Sequence, residues 1–193
     1  MSKKIDLNTL YDFIESRGNT QSRLVISLDG NSCGGKTTLA NLLSKKFGAT
    51  LIHIDDFYKP RNKNQTIDLT STEGNIDYDR FVREILNNLK KDTLIYNRFN
   101  CSTQRLESPK EITLSKIVII EGTYSTNPRL NRYFDASVFV EIDDKTQIER
   151  IKKRNPNNYN FFYNTWVKLE RNYFSKFDIK NSCDYVICGI DII

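Results

Sequence analysis

The sequence predicts an α/β fold of three layers, a parallel sheet covered by helices on both faces. Three observations carry that expectation. Short runs rich in Val and Ile alternate along the chain with stretches that place apolar residues at helical spacing. One run, Ile117-Val118-Ile119-Ile120, is apolar without interruption, as a strand buried on both faces requires. The residues able to do chemistry fall just after the strands, at the end where open parallel sheets carry their ligands.

The elements follow in order. Leu7, Leu10, Tyr11 and Ile14 recur at helical spacing and stop at Gly18-Asn19, which predicts a helical extension over residues 1–22. Leu24 to Leu28 reads as a strand, Lys36 to Phe47 as a helix and Thr50 to Ile54 as a strand. Asp79 to Leu89 reads as a helix whose apolar stripe is Phe81, Val82, Ile85, Leu86 and Leu89. Thr93 to Tyr96 is a short strand, and Ile117 to Ile120 is the central one, ending in Glu121-Gly122. Val138 to Ile142 is a strand followed by a helix from Lys145 to Arg154. A helix from Phe161 to Phe174 and a strand at Tyr185-Val186-Ile187 close the chain. Two polar stretches, Pro60 to Asn75 and Asn100 to Leu114, read as long loops, the second with a hairpin around Ser108-Pro109. Loops of that length in a compact domain are commonly lids or binding loops.

Composition narrows the class. The chain has 193 residues, enough for one domain with a substantial core, and no repeat or linker divides it. With 38% hydrophobic and 27% charged residues it reads as globular. No run approaches the length of about 18 apolar residues that a membrane span needs. Met1 to Asp6 lacks the apolar core of a signal peptide, so a cytoplasmic location is expected. The net charge of +5 is concentrated in Arg150-Ile151-Lys152-Lys153-Arg154, at the end of a helix, and does not call for a nucleic-acid partner. The four cysteines and single histidine show no zinc-like spacing, so the thiols read as reduced. Composition leaves assembly into a homo-oligomer open.

The motif with the most chemistry is Gly30-Asn31-Ser32-Cys33-Gly34-Gly35-Lys36-Thr37-Thr38. Glycine, four residues, glycine, lysine and threonine between a strand and a helix is the phosphate-binding P-loop, so the expected fold is the P-loop NTPase form of the α/β sandwich. Its glycines let successive N–H groups point inward at phosphate oxygens, and the following helix adds the positive end of its dipole. Lys36 is expected to reach the β- and γ-phosphates of ATP, and the Thr37 hydroxyl to bind Mg²⁺.

Two carboxylate positions stand beside it. Asp55 and Asp56, in His53-Ile54-Asp55-Asp56-Phe57-Tyr58, are adjacent at a strand's end, where like charges need a reason. Successive strand residues face opposite ways, so one can face a substrate while its neighbour serves a metal or holds a loop. Glu121, after the most apolar strand, stands where P-loop proteins commonly keep an acidic residue for Mg²⁺. Asp77 either caps the helix that follows it or accepts two hydrogen bonds from vicinal hydroxyls of a sugar.

From Leu24 to Ile187 the chain resembles the uridine kinase/phosphoribulokinase group of P-loop kinases. The resemblance is carried by Asp29-Gly30-Asn31-Ser32, Asp55-Asp56-Phe57-Tyr58, Asn75-Ile76-Asp77-Tyr78-Asp79-Arg80-Phe81 and Ile120-Glu121-Gly122-Thr123-Tyr124-Ser125. Tyr133-Phe134-Asp135, Glu149 to Arg154 and Cys183-Asp184-Tyr185-Val186-Ile187 continue it in the same order. It implies an ATP-dependent kinase acting on a hydroxyl of a small molecule, first of all a uridine- or cytidine-like nucleoside. Nicotinamide riboside, pantothenate or another hydroxyl compound is the alternative acceptor, and a regulatory P-loop ATPase is the rival class. The resemblance also implies roles: Asp55 as general base, Asp56, Tyr58 and Asp77 toward the substrate, and Glu121 near Mg²⁺. It makes Arg150 and Arg154 part of a lid over about residues 150–162. Phe99-Asn100 falls where nucleoside kinases of this kind usually have a Tyr-Asp pair near the substrate.

Overall fold

The structure, a computed structural model, describes residues 2–61 and 66–189. In chain order its first half holds β1 (Lys3–Lys4), α1 (Leu7–Thr20), β2 (Leu24–Gly30), α2 (Lys36–Phe47), β3 (Thr50–His53) and α3 (Tyr78–Glu84). A hairpin follows, β4 (Thr93–Asn100) and β5 (Arg105–Thr113), then β6 (Ile117–Glu121) and β7 (Ala136–Glu141). The chain ends with α4 (Asp144–Arg154), α5 (Tyr159–Phe162), α6 (Lys168–Phe177), α7 (Ile179–Ser182) and β8 (Tyr185–Cys188).

Six strands form one parallel sheet in the order β1-β8-β7-β2-β6-β3. Two neighbouring inner strands, β2 and β6, are buried along their whole length, which is why both read as largely apolar, β2 broken only by Ser27 and Asp29 before its closing glycine. Side-chain alternation divides them between two cores. Leu24, Ile26, Leu28, Ile117 and Ile119 face Leu39 and Leu43 of α2 and Leu10 and Ile14 of α1. Val25, Val118 and Ile120 face Phe57, Phe81 and Tyr173 on the other side. The three expected layers are present.

The N-terminal segment is no loose extension. Lys3 and Lys4 pair in parallel with Tyr185 and Val186 at the sheet's edge. Asp6 caps α1 through the Thr9 N–H at 2.8 Å, and Leu10 and Ile14 are fully buried.

Several boundaries move. The helix expected from Asp79 to Leu89 is α3, followed by a 3₁₀ turn over Leu86–Asn88. The closing helix runs from Tyr159 to Phe177, with a π-helical turn over Tyr163–Val167 between α5 and α6. The strand expected at Thr93–Tyr96 lies outside the parallel sheet, and among the described residues it pairs only with β5. The stretch from Asn100 to Leu114 is mostly strand rather than loop, and its turn lies at residues 101–104 instead of Ser108-Pro109. Pro109 sits within β5 beside a shift in register near Asn97, where a residue without an N–H is tolerated. Nearly all of β5 is exposed, so it lacks the apolar alternation that marks a half-buried strand. Of the expected loop from Pro60 to Asn75, residues 62–65 lie outside the described residues, and residues 66–75 contain turns.

Candidate active site

The carboxyl ends of β2, β3 and β6 open onto a cleft of about 710 Å³. The P-loop forms its floor. Gly30 has φ +133°, and a Cβ there would lie 2.1 Å from the Val140 carbonyl oxygen, so only glycine fits between β2 and β7. Gly35 turns the chain into α2 at φ 102°. Lys36 is 8% exposed, and its ammonium lies across the loop, donating to Gly30 O and Asn31 O at 2.9 Å and to Thr123 Oγ1 at 3.1 Å. None of these acceptors is a carboxylate, and the charge acts on the nearby carboxylates of Asp55, Glu121 and Glu170. Below the loop, buried Asp29 accepts from Thr126 N–H at 2.9 Å and from the Tyr173 hydroxyl at 2.8 Å, tying β2 to α6.

Sheet register assembles the second wall. His53 on β3 and Glu121 on β6 are direct partners in the parallel ladder. His53 Nδ1 lies 2.6 Å from Glu121 Oε1, and the Thr37 hydroxyl donates to that oxygen at 3.1 Å. Burial alone would raise the Glu121 carboxyl, but the hydrogen bond from His53 and the charges of Lys36 and His53 outweigh it, holding its pKa below the usual value. The same hydrogen bond raises the pKa of His53 against the opposing effect of burial. The two shifts agree and describe one ion pair.

The 3₁₀ turn Ile54–Phe57 separates the two aspartates. Asp55 is exposed into the cleft and accepts from the Tyr58 hydroxyl at 3.2 Å. Loss of hydration and then the charge of Glu121 raise its pKa, while Lys36 pulls it down. Asp56 turns the other way, 4% exposed, and does not line the cleft. It accepts from Tyr96 Oη at 3.0 Å and from Arg98 Nε at 2.8 Å. It therefore fastens the β4–β5 hairpin to the strand end.

Among the other expected residues, Ser32, Cys33, Gly34, Gly35, Thr37, Thr38, Tyr58, Phe99, Arg150 and Arg154 line the cleft. Gly30 and Asn31 form the base of the loop rather than its lining. Asp77 caps α3, accepting from Arg80 N–H at 3.0 Å, and Asn100 holds the hairpin turn through Ser102 N–H at 2.9 Å. Neither borders the cleft. Sequence reasoning missed His53, Thr123, Arg61, Gln104, Phe162, Trp166 and Glu170, all but His53 in the lining. Phe162, Trp166 and Glu170 are spaced four apart along one helix, a repeat visible in the sequence but not distinguishable there from an ordinary core stripe.

A parallel sheet with a P-loop at its switch point, an acidic strand end beside it and arginines lining the same cleft defines a P-loop protein of the kinase type. Residues 25–158 match the phosphoribulokinase/uridine kinase family, and the chain belongs to it. It is 26% identical over 160 residues to uridine-cytidine kinase A of Dictyostelium discoideum, covering 79% of this chain and 32% of that protein. It is 26% identical over 140 residues to the uridine kinase of Mycoplasma genitalium, covering 66% of this chain and 64% of that one. The chain thus spans about a third of the first relative and just under two thirds of the second. A solved structure of a possible uridine kinase from Bacillus stearothermophilus has the same fold, with a TM-score of 0.69 at 22% identity over 93% of this chain and 99% of the other.

Proposed function

We propose that the protein transfers the γ-phosphate of ATP to a hydroxyl group of a small molecule. The observation that carries this reading is the convergence of a carboxylate, Asp55, and a P-loop lysine, Lys36, on one cleft that Arg150 and Arg154 also line. A protein that only binds nucleotide needs no base facing the phosphates. Asp55 takes the proton of the acceptor hydroxyl as its oxygen forms a bond to the γ-phosphorus and the bond to the β-γ bridging oxygen breaks. Lys36 and the two arginines offset the charge that spreads over the transferring group.

The site suits Mg²⁺. Thr37 Oγ1 and Glu121 Oε1 are hard oxygen donors 3.1 Å apart, and Mg²⁺ is commonly held by one or two protein oxygens together with substrate phosphates and water. Bound there, the ion would neutralise phosphate charge. His53 keeps Glu121 ionised and aimed at that position.

A nucleoside is the acceptor that the lining favours. The aromatic side chains of Tyr58, Phe99 and Trp166 line the same cleft as Asp55, and the names of both relatives point to uridine or cytidine. Nicotinamide riboside and pantothenate are the competing acceptors. The cytoplasm, where ATP and such acceptors meet, is the compartment that fits. Among the described residues no helix is long and apolar enough to cross a membrane.

Release of ADP, measured against a panel of nucleosides and other hydroxyl compounds, tests the reading. ADP release should depend on one acceptor class and fall by about 10²–10⁴-fold in Asp55→Asn, with a comparable loss in Lys36→Ala. ATP hydrolysis indifferent to every acceptor would overturn it.

A further inference from the structure

Glu170 is 1% exposed, yet it borders the cleft. Burial raises its pKa, and among the described residues no lysine or arginine forms an ion pair with it. The charge of Lys36 opposes that rise in part, and hydrogen bonds must offset the rest of the cost of burial. Its Oε2 accepts from the Ser32 N–H of the P-loop at 2.8 Å, and its Oε1 accepts from Gln147 Nε2 at 2.8 Å. Gln147, on α4 and also 1% exposed, donates the same nitrogen to the Ser32 carbonyl at 3.2 Å. Two side chains from two helices thus hold both backbone groups of one residue.

The next residue explains why that grip matters. Cys33 has φ 60°, a left-handed conformation that costs a residue with a Cβ about 1–2 kcal/mol. Such strain persists only where the surroundings over-determine it. Arg150 Nη1 donates to the Cys33 carbonyl at 3.1 Å, one turn along α4 from Gln147. Helix α4 therefore holds the loop at two successive carbonyls, and Glu170 holds the N–H between them and the sheet.

The π turn helps to place Glu170. Residues four apart in a regular α-helix drift by about 40° per step, so Phe162, Trp166 and Glu170 would spiral away from a common wall. The wider π turn over Tyr163–Val167 offsets that drift. All three reach the cleft.

We propose that Glu170 and Gln147 clamp Ser32 and so set the phosphate-binding shape of the P-loop before nucleotide arrives. The inference rests on the nucleotide reading above. Glu170 is a positioning residue: it acts through Ser32 and Cys33, not on the reacting atoms. What the clamp needs at position 170 is two acceptor oxygens, one for the Ser32 N–H and one for Gln147 Nε2. Without them, Cys33 relaxes, and re-forming the loop weakens binding of ATP more than it slows the chemistry.

The test measures ATP binding by titration calorimetry without acceptor, and KM and kcat for ATP, in the parent, Glu170→Ala, Glu170→Gln and Gln147→Ala. Melting temperatures ensure that only folded protein is compared. Glu170→Ala should weaken ATP binding about tenfold or more, with KM rising far more than kcat falls. Glu170→Gln keeps an acceptor for the Ser32 N–H but sets an NH₂ group against Gln147 Nε2, so it and Gln147→Ala should both lie between the parent and Glu170→Ala. A merely structural role would lower the melting temperature and leave the affinity of the folded protein unchanged. A Glu170→Ala protein that binds ATP as tightly as the parent overturns the clamp alone. If Glu170→Ala does not fold, parental affinity in Gln147→Ala overturns it instead. A parent that binds no ATP overturns the nucleotide reading and the clamp together.

Discussion

Asp55 meets the cleft between neighbours that pull its acidity in opposite directions. Reduced hydration and the charge of Glu121 raise its pKa from the ordinary 3.8, and Lys36 lowers it in part. A base must be deprotonated to work, so activity should fall as pH drops through this raised value. The acid limb of kcat/KM should therefore have its midpoint above 3.8, and Asp55→Asn should abolish that limb. A pH profile over the acid range checks both. Asp55 and Asp56 also show how neighbours with the same side chain part company. The 3₁₀ turn sends one carboxylate into the cleft and the other into a buried network with Tyr96 and Arg98. The pairing in sequence left a metal or a loop open for the second carboxylate, and the resemblance pointed Asp56 toward the substrate; partners some 40 residues away make it structural instead.

At the scale of elements, the β4–β5 hairpin is the least anchored part of the site. Among the described residues it pairs with no strand of the main sheet, and side chains tether it instead: Asp56 holds Tyr96 and Arg98, and Arg80 holds the Asn97 carbonyl. It also supplies Phe99 to the cleft. Arg98→Ala should loosen the hairpin and raise KM for the acceptor by several-fold while changing KM for ATP little. Arg98 is 52% exposed, so the accompanying loss of stability should be modest, about 1–2 kcal/mol. Faster hydrogen exchange confined to residues 93–113 would report the loosening directly. The hairpin was hard to read because β5 is exposed along nearly its whole length and carries a proline. The parallel strands were easy to read because burial on both faces leaves room only for apolar residues.

At the scale of the whole molecule, stability and function are held at different places. The sheet's centre carries the fold. Ile119→Ala, at a fully buried position of β6, should cost about 2–5 kcal/mol in denaturant unfolding, whereas Ile95→Ala, 62% exposed on the hairpin, should stay within about 0.5 kcal/mol. The site occupies the rim where strands end, so its residues come from separate stretches of chain and meet only after the sheet closes.

That arrangement sets the boundary between what the residues announce and what packing adds. The P-loop, the order of strands and helices and the carboxylates after β3 and β6 were legible because each depends on near neighbours: a glycine pattern, a period of two or 3.6, a strand's last residue. His53 beside Glu121, 68 residues away, and Glu170 beneath Ser32, 138 residues away, were not. The first pair exists because β3 and β6 adopt one register, the second because a π turn aims α6 at the loop. Local patterns encode which backbone forms, but contacts across the chain depend on how those pieces pack, and only the folded molecule supplies that.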